Sequence, residues 1–148
     1  MKEYFPELSQ ITTFAGIAGG AFSAAIGGVD GVAKALVICM AIDWILGTAD
    51  SLIFKASPKT DTGGYNSLVG FKGLFKKCVV LIMVVVANIL DNTLETTFIR
   101  DGVAIAYLAN EVASIIENVG VMGIPVPAPL SAALDILKQR GDKTNGGQ

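Results

Sequence analysis

At 148 residues with a formal net charge of −2, the chain is long enough for one domain, yet only 16% of its residues are charged and 52% are hydrophobic, with a mean hydropathy of +0.59. Soluble domains carry roughly 25% charged residues, so this composition argues against an ordinary soluble domain and predicts an all-α polytopic membrane protein, one membrane domain over residues 1–148. The absence of histidine removes imidazole acid–base catalysis and histidine metal sites, and Cys39 and Cys78 are not spaced as metal ligands; no catalytic residue, cofactor or metal is expected.

Residues 1–10 read as a polar and aromatic lead at the membrane surface, with Tyr4 and Phe5 as interfacial aromatics. They lack the positive character of a cleavable signal. Residues 11–29 are uncharged and built from Gly, Ala and Ser, and form the first predicted span. Gly16 and Gly20 repeat the small-xxx-small spacing that lets helices approach closely where lipid supplies no hydrophobic drive, either within one subunit or along an oligomer seam. A weakly apolar first segment also leaves room for a three-span version in which it lies flat or inserts late.

After a short turn at Asp30 and Gly31, residues 32–54 form the second predicted span. Asp43, Gly47 and Asp50 share one helical face of it. Residues 55–77 then make the one substantial loop, broken at Pro58, Gly63 and Gly64, and it holds Lys55, Lys59, Lys72, Lys76 and Lys77 against the single acid Asp61. Such an excess marks the cytoplasmic side, and since orientation alone accounts for it, nucleic-acid binding is not expected.

The third predicted span, residues 78–98, starts strongly apolar and turns polar through Asn88, Asp91, Asn92 and Glu95, which fall within about 100° of arc on a helix. The fourth, residues 102–120, carries Asn110, Glu111, Ser114, Glu117 and Asn118 together with Tyr107 in an arc of roughly 120°. An acid at the centre of a lipid-facing helix costs roughly 2.5–3.5 kcal/mol on insertion scales, so this stripe needs protein or water opposite it. Gly120, Gly123, Pro125 and Pro127 stop the helix. Leu130, Leu134 and Leu137 then recur at helical spacing, predicting a short amphipathic surface helix over about 129–140 and a disordered tail over 141–148. Four spans, thus counted, put both termini on the cytoplasmic side.

Four stretches, in order, resemble the phage lysis and toxin-secretion holins. They are Asp43, Trp44 and Gly47; the run from Gly70 through Phe71, Lys72, Gly73, Leu74, Phe75, Lys76 and Lys77; Ala87, Leu90 and Asp91; and Asn110, Glu111, Ser114, Ile115, Glu117 and Asn118 followed by Gly123, Pro125 and Pro127. The last is the most specific, and the resemblance covers residues 38–137. The Gly/Ala-rich first segment matches no pattern of that family. The resemblance implies a small protein of the bacterial inner membrane that forms homo-oligomers and then lesions, through which an endolysin or other cargo reaches the cell wall. Direct contact with the endolysin is not implied. The residues alone leave open a small ion or proton-coupled channel or transporter, because intramembrane carboxylates mark those equally, a membrane enzyme using Asp43 and Asp50, with or without a metal, and a purely structural membrane subunit.

Overall fold

A computed structural model describes residues 6–55, 61, 64 and 66–145, with the backbone alone for residues 6–8, 144 and 145. Among these residues the chain forms five α-helices and no strand: α1 (Pro6–Ala25), α2 (Gly31–Ala49), α3 (Ser67–Leu94), α4 (Ile99–Val121) and α5 (Ala128–Asn145). A π-helical turn, Asp50–Phe54, continues α2 and ends where Lys55 takes a left-handed conformation, φ 47°.

The helix ends have local causes. Gly27 and Gly28, at φ 79° and 97°, close α1 in a conformation open to glycine. Asp30 then caps α2 by accepting from the Ala33 amide at 2.9 Å. Asn66 does the same for α3 through the Leu68 amide at 2.9 Å, and Glu95 ends it at φ 54°. α4 has no cap from its own flanking residue Phe98; Asp91 of α3 takes that role. Its carboxylate accepts from the amides of Ile99 and Arg100 at 3.0 and 2.8 Å and from the Thr96 hydroxyl at 2.6 Å. The amide of Gly123, a residue at φ 79°, bonds back to the Gly120 carbonyl and so closes α4.

α4 is the centre of the bundle: it packs against α2, α3 and α5. The core is small, formed by Ile26, Ala33, Leu36, Met40, Val84, Ala104 and Leu108. Most large apolar side chains point outward instead, among them Phe14, Ile53, Leu68, Phe71, Ile82 and Ile89. Two helices among the described residues are long and apolar enough to cross a membrane, Gly31–Phe54 and Ser67–Leu94. Only 28% and 11% of their most apolar stretches are buried, whereas a core helix of a soluble domain would be mostly covered.

Several expectations are corrected. Residues 67–77 are not loop but the first turns of α3, so Lys72, Lys76 and Lys77 are helical. At 28 residues and 1.5 Å per residue α3 is about 42 Å long, more than the roughly 30 Å of a hydrocarbon core. Part of the expected loop, residues 56–60, 62, 63 and 65, lies outside the described residues, as do residues 1–5 with Tyr4 and Phe5. The third helix ends at Leu94 rather than residue 98, because Glu95 is left-handed. The expected tail over 141–148 is helical through Asn145 as part of α5; residues 146–148 lie outside the described residues. Nor does α5 lie apart on a surface: Leu134 is buried and Leu137 packs against the core. Every residue from Ser9 to Phe22 of α1 is exposed, and Gly16 and Gly20 have open space where a side chain would begin. Their small-residue face therefore makes no packing contact within the subunit.

Candidate functional site

Three helices converge on a charged cluster. Asp43 of α2, Lys77 of α3 and Glu111 of α4 lie side by side, with side chains only 10–13% exposed. The Lys77 ammonium donates to Asp43 Oδ2 at 2.8 Å and to Glu111 Oε2. Asn118, two turns further along α4, donates through Nδ2 to Asp43 Oδ1 at 3.1 Å. Gly47 stands a turn beyond Asp43, and a Cβ there would lie in ordinary contact, 3.7 Å, with Asn118 Nδ2. Asp50, on the next turn, is 2% exposed. Asp43 and Glu111 each lie about 18 Å along their helices from Gly31 and Ile99, so the cluster sits deep in the bundle.

A polar arrangement of this kind holds three helices in one register. Removing one partner of a buried ion pair leaves an uncompensated charge, whereas replacing the whole set by apolar groups is often neutral. The cluster as a whole is therefore weak evidence of added stability, while each of its members depends on the others.

The α4 stripe is divided lengthwise by this packing. Glu111 and Asn118, at one edge, face α2 and α3, while Asn110 and Glu117, at the other edge, are exposed. Ser114 lies half-buried between them.

A second polar group ties the far end of the bundle. The Arg100 guanidinium donates to the carbonyls of Gly27 at 2.9 Å and Ile26 at 3.3 Å and pairs with Asp30 and, at 2.8 Å, with Asp101. Asn88 donates to the Ala25 carbonyl at 3.0 Å. A Cβ on Gly27 would collide with Asn88 Oδ1 and lie 3.0 Å from Arg100 Nη1. Together with the buried Asp91 cap, these contacts fasten the α1–α2 turn to the start of α4. Asn92 and Glu95, expected on the same polar face of α3, are exposed, as are Lys72 and Lys76.

The sequence marks Asp43, Glu111 and Asn118 as polar groups on apolar helices but sets Lys77 in a basic loop. Helical spacing held the missing signal: Lys77 shares a face with Val84, Ala87 and Asp91, the buried residues of α3. Arg100 falls between the third and fourth predicted spans, and nothing in its neighbourhood points to a carbonyl clamp on a turn distant in sequence.

The bacteriophage holin family model matches residues 20–139. Among curated proteins, an uncharacterized protein of Halalkalibacterium halodurans is 40% identical over 56% of this chain and 64% of its own length. Uncharacterized proteins of Listeria innocua and Listeria monocytogenes are each 39% identical over 76% of this chain and 75% of theirs. The chain thus spans just under two thirds of the first relative and three quarters of the other two. No solved structure matches it.

Proposed function

The chain belongs to the bacteriophage holin family, and we propose on that footing that it assembles with copies of itself in the bacterial inner membrane into lesions that release an endolysin or similar cargo. In this reading residues 1–148 form one membrane domain and α1 to α4 each cross the bilayer. The α2–α3 connection and the Lys72 and Lys76 end of α3 face the cytoplasm, following the excess of lysine there. α2 and α3 have the length and apolarity for it; α4 carries its polar residues against protein on one edge and outward on the other.

The observation that carries the mechanism is the Lys77 bridge between Asp43 and Glu111. In the closed subunit these charges satisfy one another across three helices. In an open assembly the same groups, together with Asp50, Asn88 and Ser114, are placed to meet water instead. A two-state element of this kind converts a harmless bundle into a lesion when copies favour the second arrangement. The exposed α1, with Gly16 and Gly20 uncovered, supplies a surface for contact between copies. The endolysin is a functional partner with no required contact.

The same bridge gives a second reading some support, since a cation held between two buried carboxylates also suits a proton or ion pathway. Expression together with a lysin, following culture turbidity and release of a protein-sized fluorescent marker from the cells, separates the two. Lysis with marker release is the expected result; selective ion currents without marker release would replace the lesion by a channel.

A further inference from the structure

Helix α5 has a location that its surface chemistry does not explain by contact with lipid. It starts just beyond the Gly123 and Pro125 turn that ends α4, yet Gly141, near its other end, meets Ala106. A Cβ at Gly141 would lie 3.4 Å from Ala106 Cα and 3.5 Å from its Cβ. Ala106 stands about two turns into α4 from Ile99, so α5 runs antiparallel to α4 along most of its length. The docked face is Leu134, Leu137 and Gly141. Around the rest of the helix Asp135, Lys138, Gln139, Arg140, Asp142 and Lys143 spread over about 200° of arc, and all six are exposed. On α4, Ala106 neighbours the outer edge of the polar stripe, about 20–40° from Glu117 and Asn110.

We propose that α5 crosses the bilayer beside α4 as the second arm of a helical hairpin, and that its charged face borders water held between copies of the chain. This rests on the reading of α4 as a span. If α4 crosses, the contact at Ala106 carries Asp135, Gln139 and Asp142 to membrane depth with it. Charges of both signs there are expensive against lipid, and a dry contact between copies would have to desolvate the whole row. Water is the remaining neighbour. The C-terminal end of α5 is thereby placed on the same side of the membrane as the α3–α4 connection, opposite to the side expected from counting four spans.

The test uses the full chain with Cys39 and Cys78 replaced by alanine. Cysteines introduced as Ala106→Cys and Gly141→Cys have Cβ positions within the roughly 3.5–4.5 Å range of disulfides, and mild oxidation in native membranes should link most of the protein within one subunit. Failure to link overturns the docking. Single cysteines at Thr97, Ile124 and Lys143, labelled by an impermeant reagent from one side at a time, give the sidedness. Lys143→Cys should label with Thr97→Cys and not with Ile124→Cys; labelling with Ile124→Cys overturns the crossing of α5 while leaving that of α4 intact. If Thr97→Cys and Ile124→Cys label from the same side, α4 does not span, and the hairpin falls with it. Finally, Gln139→Cys should react at least tenfold faster with a charged thiol reagent than Ile89→Cys on the apolar face of α3. Equal rates would place α5 against lipid or dry protein and overturn the water-bordering face.

Discussion

Lys77 and Asp43 meet at 2.8 Å in the interior of the bundle, one at the basic end of α3 and the other midway along α2. Their contact, shared with Glu111, is where charge that lipid would not accept becomes internal structure. Lys77→Met removes the cation and leaves two carboxylates buried together. Loss of one member of such a set costs about 3–5 kcal/mol, so the denaturation midpoint in detergent should fall sharply, and lysis should begin earlier as the closed state weakens. Adding Asp43→Asn and Glu111→Gln to Lys77→Met should recover much of the midpoint. A single variant as stable as the parent would show that the bridge does not hold the helices.

At the other end of the bundle the pair Gly27 and Gly28 separates backbone strain from contact. Both have positive φ, but only Gly27 has side chains, those of Asn88 and Arg100, where a Cβ would go. Gly28→Ala should cost about 1 kcal/mol from strain alone. Gly27→Ala should cost more, roughly 2–3 kcal/mol, and should loosen the Arg100 clamp, seen as faster amide exchange in residues 26–30. Equal effects of the two substitutions would remove the clamp from the account.

Asp91→Ala takes away the acceptor for the Ile99 and Arg100 amides. An N-cap is worth about 1–2 kcal/mol at the upper end of its range, and the effect should be local. Hydrogen exchange in the first turn of α4 should rise severalfold while the α2–α3 contact region is unchanged; uniform exchange across the bundle would mean that the carboxylate supports more than the helix end.

Much of this architecture is legible in the sequence because lipid makes polarity conspicuous. Asp43, Glu111 and Asn118 stand out as polar groups on apolar helices; Asn118 donates to Asp43, and Glu111 is joined to it only through Lys77. Lys77 was hidden because a lysine next to an apolar run is also what membrane orientation requires, and composition cannot tell an interfacial lysine from an inward one. The length of α5 was hidden for a related reason. Gly141, which looks like a helix stop, instead packs within α5 against Ala106, a contact between positions distant in sequence.

Self-association is expected to use α1, whose residues from Ser9 to Phe22 are all exposed. Helices in lipid approach through small residues, and Gly16 and Gly20 have open space around them. Gly16→Leu with Gly20→Leu should leave the subunit folded, since neither position is packed, and should lower the cross-linked oligomer fraction at matched protein levels. An unchanged fraction places the seam on another helix.

The two glutamates of α4 should differ in their effects on timing. Glu111 is held by Lys77 inside the subunit, whereas Glu117 is exposed on the outer edge of the same stripe. Glu111→Gln keeps size and hydrogen-bonding capacity but weakens the Lys77 bridge, which acts on the closed state; lysis in cells expressing a lysin should begin earlier. Glu117→Gln leaves the bridge intact and removes a charge that only the assembled form brings next to water. A neutral amide there lowers the advantage of the hydrated arrangement over the closed one, so lysis should be delayed or lost with normal membrane insertion. Time from induction to loss of turbidity, with membrane protein matched by blotting, is the measurement. Shifts of the same sign in both variants would mean that the stripe acts as one unit, and unchanged times in both would leave these carboxylates as structural groups.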